Sequence, residues 1–186
     1  MKYVQVLFMG MALAFFGCSE DSEDSVDPKV EVEGVYEVTD VEQDIWAGDE
    51  LTQYTFDIKP KIKLAKSEDA DDTIIMTLTE FLESMIEVSF WAHYNGTNKL
   101  IVQVDVVNGL IPVEFDDEKF ETYEFNVKVK AGLGLEAATN YTASIRLDGE
   151  VEDGEMEFDY KATITNAGTK QIAFVFEGEA KGEKID

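Results

Sequence analysis

Histidine, cysteine and proline are nearly missing: the 186 residues hold one His, one Cys and three Pro. With so few, a Cys/His nucleophile pair and a structural zinc site both lack ligands, and no intramolecular disulfide can form. His93, between Ala92 and Tyr94, has no neighbouring nucleophile or orienting group, so it reads as a turn-proximal histidine and not a general base. Positive charge is scarce too, with 15 Lys and Arg against 40 Asp and Glu and a net charge of −25. A field of that sign repels phosphate backbones and anionic head groups, which excludes nucleic acid as a partner. Long apolar runs are also lacking. The longest, Tyr3 to Phe16 behind Lys2, is broken only by Gln5 and Gly10; it falls short of the roughly 20 residues of a spanning helix and has the length of a secretory h-region.

That run leads into Phe15-Phe16-Gly17-Cys18, which resembles a bacterial lipoprotein lipobox, with Phe15 where the pattern prefers Leu. The resemblance implies that residues 1–17 are a signal peptide and that Cys18 becomes the lipidated mature N-terminus. Each buried acyl CH₂ adds about 0.8 kcal/mol of membrane affinity, so several chains anchor stably. Residues 18–29, with Glu20, Asp21, Glu23, Asp24 and Asp27, lack apolar periodicity and read as a solvated acidic tether. Acid directly after the cysteine is similar to the signal that sends Bacteroidota lipoproteins to the outer face of the outer membrane. The expected location is therefore a lipid-anchored, surface-exposed one.

Residues 30–186 make one domain of comfortable size. A two-residue period runs through nearly all of it. Val30, Val32, Gly34, Tyr36 and Val38 alternate with Glu31, Glu33 and Glu37, and Tyr54, Phe56, Ile58, Ile62 and Leu64 predict a long second strand across Pro60. Residues 42–50 read as an acidic loop carrying Ile45 and Trp46. From Thr73 to Tyr94 two periods compete: a strand to about Leu78, a helical turn or two around Glu80 to Ile86, and a strand from Val88 to Tyr94. Further strands follow Leu100, Ile111, Tyr123, Tyr141, Met156 and Ile172, punctuated by Asn95-Gly96, Asn108-Gly109, Asp148-Gly149, Asp153-Gly154 and Asn166 to Gly168. No crossover helix separates them, so the fold is all-β and antiparallel, with nine or ten strands. Closure into an up-and-down barrel and folding into a two-sheet sandwich both solve the edge problem, and the short sequential hairpins favour the barrel. Glu33-Gly34-Val35-Tyr36 at the head of a meander, with Thr139-Asn140-Tyr141 further on, resembles the lipocalin-like domains of Bacteroidota lipoproteins, Tyr36 standing where those have Trp.

Catalytic chemistry finds no constellation, and the chain reads as non-enzymatic, without a cofactor or a metal. Asp69, Asp71 and Asp72, and Asp116, Asp117 and Glu118, are acidic turns without the spacing of a Ca²⁺ loop. Gly132-Leu133-Gly134 lacks the third glycine of a dinucleotide site. The candidate ligand-binding residues are Trp46 and Trp91, amphipathic indoles suited to a ligand mouth or a sugar-stacking platform. Tyr54, Phe56, Tyr123, Phe125, Phe158, Tyr160, Phe174 and Phe176 form the expected inward aromatic set, able to line a lumen or fill a core. Two functions follow: a binding module for a small apolar molecule or a glycan, and a solid-cored structural or interaction subunit of an outer-membrane complex.

Overall fold

The computed structural model describes residues 32–68, 73–94, 99–105, 110–116, 118–134 and 137–186. From Gly34 on, the described residues form eleven strands and one helix in order: β1 (Gly34–Ala47), β2 (Glu50–Phe56), β3 (Lys61–Lys66), β4 (Ile74–Thr77), α1 (Thr79–His93), β5 (Ile101–Asp105), β6 (Leu110–Asp116), β7 (Lys119–Thr122), β8 (Phe125–Gly132), β9 (Thr139–Glu152), β10 (Glu155–Asn166) and β11 (Ile172–Lys184). Eight of them close an antiparallel ring, β1-β3-β4-β6-β7-β9-β10-β11 and back to β1. Sequence order and ring order agree, as in an up-and-down barrel, and the two-sheet sandwich is set aside. Closure removes the edges that an open sheet of this size exposes.

The ring is complete only at one end, the base, where β1 begins and β11 ends. Towards the opposite end, the rim, β1 exchanges β3 for β2, and β9 exchanges β7 for β8 and, beyond it, β5. At each exchange a backbone group falls between ladders and is bonded by other means. The Val38 N–H donates to the Pro60 carbonyl at 3.0 Å, and the buried Thr122 hydroxyl accepts from the Leu147 N–H at 3.0 Å. Each contact meets the hydrogen-bonding demand of a buried chain.

Between the departing strands lies α1. Phe81, Leu82, Met85, Ile86 and Phe90 recur at helical spacing, and all are buried inside the sheet. Near the helix N-terminus the Phe81 ring meets Phe158 and Tyr160 edge-on at 5.1 and 5.4 Å; two turns on, Phe90 meets Phe174 and Tyr141 at 4.9 and 5.1 Å. The helix thus runs along β10 and β11 towards the rim and fills the interior. A buried polar chain fixes its rotation: the Tyr160 hydroxyl donates to Gln43 Oε1 at 2.9 Å, Gln43 Nε2 donates to Ser89 Oγ at 3.0 Å, and Ser89 Oγ donates to the Met85 carbonyl at 2.8 Å.

Several expectations are corrected by these elements. Residues 88–93 are helix, not strand, because α1 has an apolar face of its own to bury in the gap between β3 and β5. Residues 42–47 are strand and not loop: β1 takes an extra residue between Val38 and Asp40, a bulge that resets the phase and carries Val41, Gln43 and Ile45 inward. The expected long second strand breaks into β2 and β3 around residues 57–60, where Pro60 cannot donate to a ladder. Asp148-Gly149 is no turn; the turn is Asp153-Gly154, with φ of 51° and 84°. Gly149 lies inside β9 opposite Phe158, where an added Cβ would come within 2.2 Å of the Glu157 carbonyl. Of the inward aromatics, Phe158, Tyr160, Phe174 and Phe176 are buried and Phe125 packs against the core, whereas Tyr54 and Tyr123 are exposed. Tyr123 lies at the break between β7 and β8, which a single continuous strand does not anticipate. The Phe56 side chain, Asp69, Asp71, Asp72, Asp117, Asn95-Gly96 and Asn108-Gly109 lie outside the described residues.

Candidate functional site

With the interior filled, the surface that varies in chemistry is the outer face of β1, β9, β10 and β11. Strand register lays its side chains in cross-strand rows, about 6.8 Å apart along the strands. Nearest the rim is an apolar row, Leu51-Trp46-Val175, passing into Thr163. The second row is mixed: Gln53-Asp44-Glu177-Lys161-Arg146. The third, behind Thr55, is Glu42-Glu179-Asp159-Asp148-Glu121, five carboxylates with no cation. A fourth, Asp40-Lys181-Glu157-Glu150-Lys119, is mixed again.

Two open grooves flank the acidic row, of about 740 Å³ on the rim side and about 750 Å³ on the base side, and Asp148, Asp159 and Glu179 line both. Gly178 lines the rim-side groove and Gly149 the base-side one. A Cβ on Gly178 would lie 2.2 Å from the Glu42 carbonyl and 2.6 Å from the Tyr160 hydroxyl, so only glycine lets β1, β10 and β11 approach so closely there. Three cations of the mixed rows are paired: Lys161 with Glu177 at 2.8 Å and Lys181 with Glu157 at 2.5 Å inside their own rows, and Arg146 with Glu121 at the end of the acidic one. Among the described residues no ion pair reaches Glu42, Asp148, Asp159 or Glu179. Partial burial and the neighbouring charges of Glu179 and Asp148 push the Asp159 carboxyl above its ordinary pKa. The row holds negative potential but forms no cage: among the described residues no three His, Cys, Asp or Glu are arranged to hold a metal ion.

The candidate indoles are not brought together. Trp46 sits on the outer face of β1, half-exposed beside Leu51, and neither plugs the interior nor hangs in a loop. Trp91 lies on α1, packed partly against the core, with Nε1 donating to Glu87 Oε1 at 3.3 Å. It belongs to the helix and not to an aromatic strand platform. His93 ends the same helix, its ring 5.2 Å from Phe174, and partial burial lowers its pKa. Tyr36, the residue of the lipocalin resemblance, is fully buried at the base, its hydroxyl donating to the Val32 carbonyl at 2.9 Å and its pKa pushed up to about 12 by desolvation. Cys18 lies outside the described residues. Sequence reasoning missed the acidic row, because its five members come from five strands up to 137 positions apart and only register aligns them.

Fold and surface together define a closed antiparallel barrel with a helix in its interior and a strongly anionic exterior. No protein-family model matches this chain, no curated protein matches it, and no solved structure matches it. Among the described residues no helix is long and apolar enough to cross a membrane.

Proposed function

We propose that this chain is a lipid-tethered, surface-displayed interaction module of the outer membrane, non-catalytic, which recognises its partner on the outside of a filled barrel. The observation that supports this is the occupied interior: five apolar side chains of α1 are buried, and the rings of two of them, Phe81 and Phe90, meet Phe158, Tyr160, Phe174 and Tyr141 where a small-molecule carrier keeps a ligand chamber. Of the two functions open to the sequence, the solid-cored interaction subunit fits that packing, and internal capture of an apolar small molecule does not. A glycan, if bound, falls to the outer face.

The tether enters at the base. Residues 18–29 reach at most roughly 40 Å when extended, and the negative charge of the barrel holds it off an anionic lipid surface. Two measurements test the reading. Cys18→Ala releases the protein from the membrane fraction, and its retention there refutes the anchor. Titration of the full chain with an apolar fluorophore gives no saturable one-to-one uptake; stoichiometric uptake restores the carrier.

A further inference from the structure

The ring that removes edges at the base leaves one uncovered at the rim. Among the described residues β2 pairs with β1 alone, and its other side, a row of backbone donors and acceptors, meets no strand. Both its faces are open as well, for every residue from Glu50 to Thr55 is exposed. Natural edge strands are blunted by lysine, proline, a bulge or a cover. The strand Glu-Leu-Thr-Gln-Tyr-Thr-Phe has none of the first two, pairs with β1 through seven consecutive residues without a register shift, and carries a single charge, Glu50.

We infer that β2 is a docking edge to which an extended segment of a partner protein adds as a further strand, with one apolar and two basic residues in succession along its outer face. This rests on the proposed interaction role and specifies its site. Register supplies the pattern. A strand added about 4.8 Å beyond β2 continues the outer rows. One outward residue then lies beside Leu51, 49% exposed and continuous with Trp46 and Val175, and is apolar. The next lies beside Gln53, whose amide bonds Asp44 at 2.8 Å, and the one after beside Thr55 and Glu42. At those two places a lysine or arginine reaches across β2 to Asp44 and Glu42. A partner that runs antiparallel to β2, as every pairing in this sheet does, meets Thr55 first, so the recognised pattern from its N-terminus is basic-x-basic-x-apolar. Charge selects this occupant over the two nearest competitors, a second copy of the chain at −25 and the chain's own acidic tether.

The test uses the full-length chain in mild detergent and three labelled peptides with the cores Lys-Thr-Lys-Thr-Leu, its rearrangement Thr-Lys-Leu-Lys-Thr, and Glu-Thr-Glu-Thr-Leu. Anisotropy is read at ~0.15 M salt, where charges beyond roughly 8 Å are screened. The patterned peptide binds about tenfold tighter than its rearrangement, and the acidic one not measurably. Leu51→Asp and Asp44→Lys each weaken the patterned peptide about fivefold or more, while Glu150→Lys, an equal change of charge in the row near the base, leaves it unchanged. Hydrogen exchange shows new protection confined to β2. Equal binding of patterned and rearranged peptides, or equal effects of Asp44→Lys and Glu150→Lys, means that bulk charge alone acts and overturns the inference. So does self-association of the full chain abolished by Leu51→Asp, or binding that appears only after residues 19–27 are deleted, since those outcomes name the second copy or the tether as occupant. Failure of the anchor test leaves these readouts intact, and failure here leaves the anchor standing.

Discussion

Base and rim are built from the same four long strands yet are stabilised differently. At the base, sheet closes on sheet and every strand has two neighbours. At the rim the sheet stays open between β2 and β5, and a helix occupies the concavity. The ring satisfies its backbone by topology. The rim depends on side chains, chiefly the aromatic contacts of α1 and the Tyr160-Gln43-Ser89 chain. A barrel can therefore open at one end and present a strand edge there, provided that something apolar fills the space which closure would otherwise have removed.

The largest test of this contrast is Phe90→Ala, which deletes the ring between Tyr141 and Phe174. It costs about 3–5 kcal/mol by denaturant unfolding, and hydrogen exchange shows the loss in β5, β8 and the rim half of β9 while β3, β4 and β6 stay protected. Uniform loss would mean that base and rim are one cooperative unit. Gly178→Ala, which forces a Cβ against the Glu42 carbonyl and the Tyr160 hydroxyl, costs about 2–3 kcal/mol. Its effect spreads to both ends, since it strikes where they join. Gln43→Leu strands the buried Tyr160 hydroxyl and unties Ser89, for about 1–3 kcal/mol and an increase in helix exchange.

The smallest effect has the opposite sign. Asp159 has a folded pKa raised by burial and by Glu179 and Asp148, so its charged form is disfavoured in the folded state. The native state then binds protons more readily than the unfolded one through the carboxylate range, and this group's penalty is present at neutral pH and relieved as pH falls through that raised pKa. Asp159→Asn raises the melting temperature by about 1–2 °C at pH 7, roughly 0.5 kcal/mol for an exposed like-charge row. The gain vanishes in acid, and a gain that persists there would remove charge as its cause.

How much of this was legible depended on range. Alternation along a strand is local, and in Met156, Phe158, Tyr160, Ala162 and Ile164 it marks the inward residues of β10 without error. The helix was only half legible, because Leu78, Phe81, Leu82, Met85 and Ile86 satisfy one period while Val88, Phe90 and Ala92 suggest another. The gap that settles it is made by strands distant in sequence. A one-residue bulge at Val38/Asp40 was enough to disguise half of β1 as a loop. Gly149 looked like a turn because a glycine needed for close approach and one needed for positive φ are the same letter. The surface was least legible of all: the rows around Trp46 and Asp159 follow from registers, and no single stretch of chain contains them.

The start of β1 and the end of β11 meet at the base, where the Ile185 N–H donates to the Val35 carbonyl at 2.8 Å. Because β1 leads from that point straight to the turn before β2, tension between an anchor and a load on β2 travels along one strand. The remaining strands lie outside the line of force, and a cell pulling on this handle would stretch a cord while leaving the body of the molecule slack.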